Sequence, residues 1–284
     1  MRMLVTGGNG QLGRSFAKLA GEYPGYEFVF SDLPDCDISS IADVEELVRS
    51  VRPDVIINCA AYTNVDRAEE EAVLAERINA LGARNLAEVA SAGDIKMVQI
   101  STDYVFDGRS DRPILEINAP APVNVYGKTK LEGEKYVSRS GADSIIVRTS
   151  WLYSELGHNF VKAILAVAGQ NDKVKVVDDQ FGSPTYASDL ARAVMALVCR
   201  GIIGSHIFHF CGRGIVSRFE FARAIVRFAG LGADVLPVAT ADFPALATRP
   251  LYTALSTVKI EAAGIFVPDW DHSLKICMKE MGWL

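Results

Sequence analysis

The sequence predicts an α/β fold, a doubly wound and mostly parallel sheet that carries a smaller α/β region. Three observations predict it. Short apolar runs alternate with stretches of helical periodicity over residues 1–150. Runs such as Val55-Ile56-Ile57 are apolar at consecutive positions, which suits a parallel strand covered on both faces. The first such run ends in glycines at a fixed spacing and passes directly into a helical pattern. With 284 residues, 49% of them hydrophobic, the chain can bury a full core, as one large domain or a large domain with a smaller one.

Charge and cysteine usage narrow the class. The net charge is -6 and the basic residues are scattered, so neither nucleic acid nor an anionic membrane is an expected partner. Cys36, Cys59, Cys199, Cys211 and Cys277 are odd in number and lack a Cys-x-x-Cys pair, and are read as reduced core thiols. The amino terminus enters a strand at once, without room for a signal peptide, and no apolar run approaches the ~20 residues of a membrane span. A cytoplasmic protein is expected.

Met3-Leu4-Val5-Thr6 is the first strand, and Gly7, Gly10 and Gly13 follow before Phe16, Leu19 and Ala20 continue at helical spacing. Such glycines make a tight turn, admit a pyrophosphate to the backbone, and let helix and strand pack closely while the helix N-terminus faces the anion. A plain structural turn would use such glycines too, but the strand-to-helix setting at the start of the chain favours a nucleotide. Phe28-Val29-Phe30 ends in Ser31-Asp32, about where a ribose-binding acid is expected, and Asp32 favours NAD(H) unless a basic neighbour admits a 2′-phosphate. Asp37-Ile38 can contact the adenine edge, or the polar residues here can cap the helix from Ile41 to Arg49.

The buried run from Pro53 emerges at Asn58-Cys59-Ala60-Ala61-Tyr62-Thr63, where small side chains let a flat cofactor lie close. A helix expected near Ala72 contains Asn79 and Gly82, which cost helix propensity and call for a packing or hydrogen-bonding reason. Met97 to Ile100 ends in Ser101-Thr102-Asp103. A Pro-rich loop then reaches Tyr126 and Lys130, which share one helix face. A neighbouring cation favours a phenolate, so the two can form a proton-handling pair.

Ile145 to Ser150 is a further strand with Trp151 just past its end. After it come a helix over 159–168, a strand over 174–177, the loop Asp178 to Thr185, a helix over 188–198, a strand over 207–210 and a helix over 219–228. Residues 1–150 are assigned to the dinucleotide domain and 151–284 mainly to substrate binding, with 186–212 returning to the first. His158, His206, His209 and His272 lack metal-ligand spacing, and no metal is assigned.

Four marks stand in order: Gly-x-x-Gly-x-x-Gly, Asn58-Cys59-Ala60-Ala61, Ser101-Thr102-Asp103 and Tyr126-x-x-x-Lys130. Together they resemble the extended short-chain dehydrogenase/reductases, over essentially the whole chain. Ala61 to Asp66, Ser101 to Phe106, Val125 to Lys130, Arg148 to Trp151 and Asp179 to Thr185 are similar to the dTDP-4-dehydrorhamnose reductase family. The resemblance implies that Tyr126 protonates a C4 oxygen as hydride arrives from NADPH or NADH. It implies further that Lys130 holds the nicotinamide ribose and lowers the pKa of Tyr126, and that Thr102 bonds the keto oxygen. Gly7, Gly10, Gln11, Leu12, Gly13, Asp32, Asp37, Ile38, Ala61, Tyr62 and Thr63 would line the cofactor with Tyr126 and Lys130. Thr102, Asp103 and Trp151 would touch the nucleotide sugar, and Gln180 and Arg249 its thymidine diphosphate part.

Some members bind magnesium between subunits through an acid shortly after the glycine loop. Here Gly13-Arg14-Ser15 stands there, so a metal bridge is not expected, and a homodimer remains a candidate assembly. Two other readings compete. A sugar-nucleotide dehydratase would resemble Thr-Asp-Glu where this chain has Thr102-Asp103-Tyr104, and an epimerase would show no net oxidation. A non-catalytic NADP-binding regulatory subunit could keep the same motifs.

Overall fold

The structure, a computed structural model, describes residues 1–243 and 245–284. β1 (Arg2–Thr6) passes through the glycine turn into α1 (Gln11–Leu19), followed by β2 (Glu27–Ser31), α2 (Ile41–Val51) and β3 (Val55–Asn58). Two short helices, α3 (Val65–Glu70) and α4 (Ala72–Glu76), lead through a π-helical stretch over Arg77–Gly82 into α5 (Ala83–Ala92) and then β4 (Lys96–Thr102). α6 (Val125–Arg139) and β5 (Ser144–Thr149) follow. Beyond them lie β6 (Leu152–Tyr153), α7 (Phe160–Ala168), β7 (Lys173–Val177), β8 (Phe181–Gly182), β9 (Thr185–Tyr186), α8 (Ala187–Cys199) and β10 (Ser205–His209). The chain closes with β11 (Val216–Ser217), α9 (Arg218–Phe228), β12 (Asp234–Val238), α10 (Val258–Ala262) and α11 (Trp270–Glu280).

The main sheet runs β10-β5-β4-β3-β1-β2, with parallel pairing throughout. Alternation along the strands explains why both faces are covered. Met3, Val5 and Ile57 enter the core shared with α1 and α8, whereas Leu4 and Ile56 enter the core shared with α2 and α5. Strand order reverses between β1 and β3, and register sets Thr6 beside Asn58 and Thr102 beside Thr149. All the carboxyl ends thus share one rim, at the switch point where open α/β sheets take ligands.

The smaller region has its own core around Tyr153, Val174, Val176, Phe221 and Leu274. β7 pairs with β12, β8 with β11 and β6 with β9, whereas β10 lies on the main sheet. Two local expectations are met and one needs correction. The helix expected near Ala72 begins there, as α4, and a separate short helix, α3, precedes it, capped by Asn64 accepting from Arg67 N. Asn79 and Gly82 fall in the π-helical stretch: Asn79 bonds the backbone of Tyr62 and the hydroxyl of Thr129, and a Cβ on Gly82 would meet Ile38 at 2.6 Å. Among the free thiols, Cys199 is exposed, not in the core.

α6 is drawn tightly onto this scaffold. A Cβ on Gly127 would sit 2.1 Å from the Tyr104 carbonyl oxygen, and one on Gly133 would sit 2.3 Å from that of Asn79. Asn124 caps the helix by accepting from Gly127 N at 2.8 Å. Farther along, the buried Glu134 carboxylate accepts from Arg148 Nε at 2.9 Å and Nη2 at 2.6 Å, and from Ser101 Oγ at 2.5 Å. Removing one partner strands a buried charge, so Arg148→Met is expected to cost roughly 3–5 kcal/mol of stability in urea unfolding. Adding Glu134→Leu to that variant should recover a large part of the loss, and a double variant no more stable than the single one would contradict the pairing.

Candidate active site

A cleft of about 830 Å³ follows the rim of carboxyl ends. One end is built by the glycine turn. Gly7 has φ +67°, and a Cβ there would lie 2.5 Å from Ala60 N; a Cβ on Gly13 would lie 2.3 Å from Gly7 O. No side chain caps the N-terminus of α1, so its first amides are open to an anion. Asp32 sits over the turn, accepting from Asn9 N and Leu33 N, each at 2.9 Å. Gln11, Leu12, Asp37, Ile38, Ala61 and Thr63 line the same cleft. Asp37 is held by Ser39, while the helix cap expected of the polar residues here is provided by Ser40. A basic residue that the sequence reading did not single out, Arg77, also lines the cleft, with Nη2 at 3.8 Å from Asp37 Oδ2. A glycine cradle, an uncapped helix N-terminus and an acid at the end of β2 fit a dinucleotide.

The other end holds Thr102, Asp103, Tyr126, Lys130 and Trp151. Tyr126 and Lys130 rise from the first turns of α6, and Lys130 Nζ donates to the Ile100 carbonyl at 2.7 Å. Burial pushes Lys130 down to about 8, against an upward push from the Glu134 carboxylate one turn along. Burial likewise pushes the Tyr126 phenol up, Thr102 hydrogen bonding pulls it down, and Asp103 and Tyr104 push it further up. This corrects the expectation for the pair: Lys130 is not among the groups that lower Tyr126, and one of its three N–H donors goes to Ile100. The phenol therefore stays protonated across the neutral range, the state needed to give a proton rather than take one. Asp103 is buried, and burial raises it to about 6. Its Oδ1 accepts from Thr102 Oγ1 at 3.0 Å, and among the described residues its Oδ2 makes no hydrogen bond of good geometry.

Trp151 adopts φ +46°, a left-handed backbone unusual for a bulky residue and one often found where function demands it. The indole lies against Gly182, where a Cβ would come within 2.7 Å, and the Arg218 guanidinium stands 3.7 Å from the ring centroid. Three expected contacts lie outside the cleft lining. The Tyr62 phenol turns away to Glu71 at 2.5 Å because Asn79 holds its backbone. The Gln180 amide donates to Thr240 Oγ1 at 3.0 Å, and Arg249 pairs with Asp66 at 2.5 Å.

The sequence reading missed Arg218, which stands next to a helix cap and looks like an ordinary helix start. It also missed the loop over 154–159. Asn159 Nδ2 and Ser154 Oγ donate to Gln11 Oε1 at 2.9 and 3.2 Å, and Gly157, at φ +65°, brings the loop against the Gln11 side chain. His158, which the sequence reading assigned to no site, thereby lines the cleft. A glycine beside His158 and Asn159 was the available signal.

A family model described as the RmlD substrate binding domain matches residues 1–282. The dTDP-4-dehydrorhamnose reductase of Aggregatibacter actinomycetemcomitans is 41% identical, covering 96% of this chain and 97% of that protein. A crystal structure of a dTDP-4-dehydrorhamnose reductase from Clostridium acetobutylicum superposes with a TM-score of 0.95 at 42% identity, covering 99% of this chain and 100% of that one. That of the Bacillus anthracis dTDP-4-dehydrorhamnose reductase in complex with NADP gives 0.94 at 40% identity, covering 98% and 99%.

The depressed Lys130 sets a pH dependence. Its folded value of about 8 lies below the ordinary 10.5, so between those limits the unfolded chain binds more protons and stability rises with pH. Urea unfolding of the chain without cofactor should show this rise, and Lys130→Met should flatten it. Parallel profiles for the two proteins would contradict the burial of the charge.

Proposed function

The chain belongs to the dTDP-4-dehydrorhamnose reductase family, and we propose that it reduces the C4 keto group of dTDP-4-dehydro-L-rhamnose to give dTDP-L-rhamnose. NADPH or NADH supplies the hydride. The single observation that carries this reading is the Tyr126 phenol, kept protonated by burial and set beside Thr102 at the end of a dinucleotide cleft.

The chain's own residues have separable tasks. The glycine turn and the α1 N-terminus receive the pyrophosphate, and Asp32 faces the adenosine ribose. Arg77 places a cation at the same end of the cleft, which supports acceptance of a 2′-phosphate. Lys130 orients the nicotinamide ribose from its seat on Ile100. Thr102 donates to the keto oxygen and Tyr126 gives it a proton as hydride reaches C4, which is general acid catalysis at one defined atom. Trp151, stiffened between Gly182 and Arg218, offers a flat apolar wall to the sugar.

Dehydration would need a second carboxylate beside Asp103, and Tyr104 stands there. Among the described residues no helix is long and apolar enough to cross a membrane. A cytoplasmic setting and a homodimeric assembly belong to this proposal; the free cysteines support the former.

Incubation of the purified chain with dTDP-4-dehydro-L-rhamnose and each cofactor should oxidise NADPH or NADH, with dTDP-L-rhamnose identified by NMR. Absence of turnover with both cofactors, in protein that still binds them, would overturn the reading. Tyr126→Phe should lower kcat by about 10²- to 10⁴-fold, and cofactor fluorescence titration should show binding retained.

A further inference from the structure

Asp103 is a buried carboxyl group of the cleft whose state the reduction does not explain. It is 2% exposed and lines the cleft, and among the described residues its Oδ2 makes no hydrogen bond of good geometry, although the Thr253 hydroxyl stands near enough to favour the carboxylate. A buried carboxylate oxygen that lacks a good hydrogen bond is costly, and such an atom calls for a reason. Its other oxygen accepts from the Thr102 hydroxyl at 3.0 Å, and Thr102, which lines the cleft with Tyr126, also pulls the phenol down as its hydrogen-bonding neighbour. Asp103, Thr102 and Tyr126 therefore form an ordered row of three groups that can exchange protons.

We propose that Asp103 returns a proton to Tyr126 through the Thr102 hydroxyl after each reduction, so that the donor is restored inside the cleft. The inference rests on the reductase reading, since only a reaction that takes the Tyr126 proton needs its return. The step balances. The phenolate left by reduction takes the Thr102 hydroxyl proton, forming one O–H bond as another breaks. The Thr102 oxygen takes the proton of the Asp103 carboxyl group in the same way. The Asp103 carboxylate is then protonated by water entering as product leaves, which supplies the solvent proton that the overall reduction consumes.

The surroundings suit the task. Burial is the largest influence on Asp103 and raises it to about 6, so that it exchanges protons near the working pH and gives one readily to a phenolate. The charged and titratable groups facing it are Arg218 from α9, Tyr126 from α6, Tyr104 next in sequence and Cys211 after β10, with Thr253 offering a neutral hydroxyl. Arg218 favours the carboxylate and burial opposes it, leaving both states accessible. Tyr104 N donates to Thr102 Oγ1 at 3.2 Å, fixing the relaying oxygen while its proton remains free to turn.

Rapid mixing of Asp103→Asn with NADPH and dTDP-4-dehydro-L-rhamnose tests the relay. The variant begins with Tyr126 protonated, so a first turnover should outrun the later ones by on the order of 10²-fold, as a burst that the wild type lacks. Wild-type kcat should also rise as pH falls through about 6, the value of Asp103, and the variant should lose that limb. First and later turnovers slowed equally, with the pH limb kept, would overturn the proposal and make Asp103 a sugar-positioning residue. Should Asp103→Asn not fold, Thr102→Val is compared with Thr102→Ser: a burst in the valine variant alone supports the relay, and like behaviour in both overturns it. Wild-type protein with no turnover would instead defeat the reductase reading itself.

Discussion

The ion pair of Glu134 with Arg148 ties the catalytic helix to the sheet. Arg148 projects from β5 and Glu134 from α6, both buried, so neither charge has water to fall back on. Ser101 adds a third strut from β4, next to Thr102, and His209 on β10 lies 3.5 Å from Arg148 Nη1. Burial and the Arg148 charge push His209 down to about 3, so it stays neutral beside the guanidinium. One turn earlier on α6, Lys130 feels the Glu134 carboxylate, which helps a buried ammonium keep its proton. The position of the phenol, the seat of the lysine and the level of the threonine thus follow from one charged contact beneath them.

Above that contact, burial governs the chemistry more than neighbouring charge does. Tyr126, Lys130 and Asp103 are each displaced toward their neutral forms, with desolvation the largest influence on all three. A cleft that disfavours charge suits the delivery of hydride and proton to a neutral carbonyl. The glycines of α6 contribute by letting the helix approach until Gly127 touches the Tyr104 backbone.

Much of this was legible in the sequence because it rests on local spacing. The glycine turn, the acid at the end of β2 and the pair on α6 are set by residues close together in the chain, and the cleft brings them to one rim. Contacts between distant segments were not legible. Arg218 reaches Trp151 from a helix start, Arg249 is diverted to Asp66, and Tyr62 is turned outward by an asparagine seventeen residues away. Each depends on a side-chain direction that only the folded backbone supplies. The expectation that Lys130 lowers Tyr126 failed for a related reason: spacing along a helix puts two groups on one face but does not say which carbonyl captures the ammonium.

Gln11 stands in the nucleotide half but takes its hydrogen bonds from Ser154 and Asn159 in the loop that opens the sugar half. A dinucleotide settling on the turn therefore meets both halves through one side chain. Any factor by which the bound cofactor tightens the hold on the sugar nucleotide must equal the factor by which the sugar tightens the hold on the cofactor. Reciprocity of this kind makes the ternary complex, rather than either binary one, the natural resting point of the loop, and gives each ligand a share in retaining the other until chemistry has occurred.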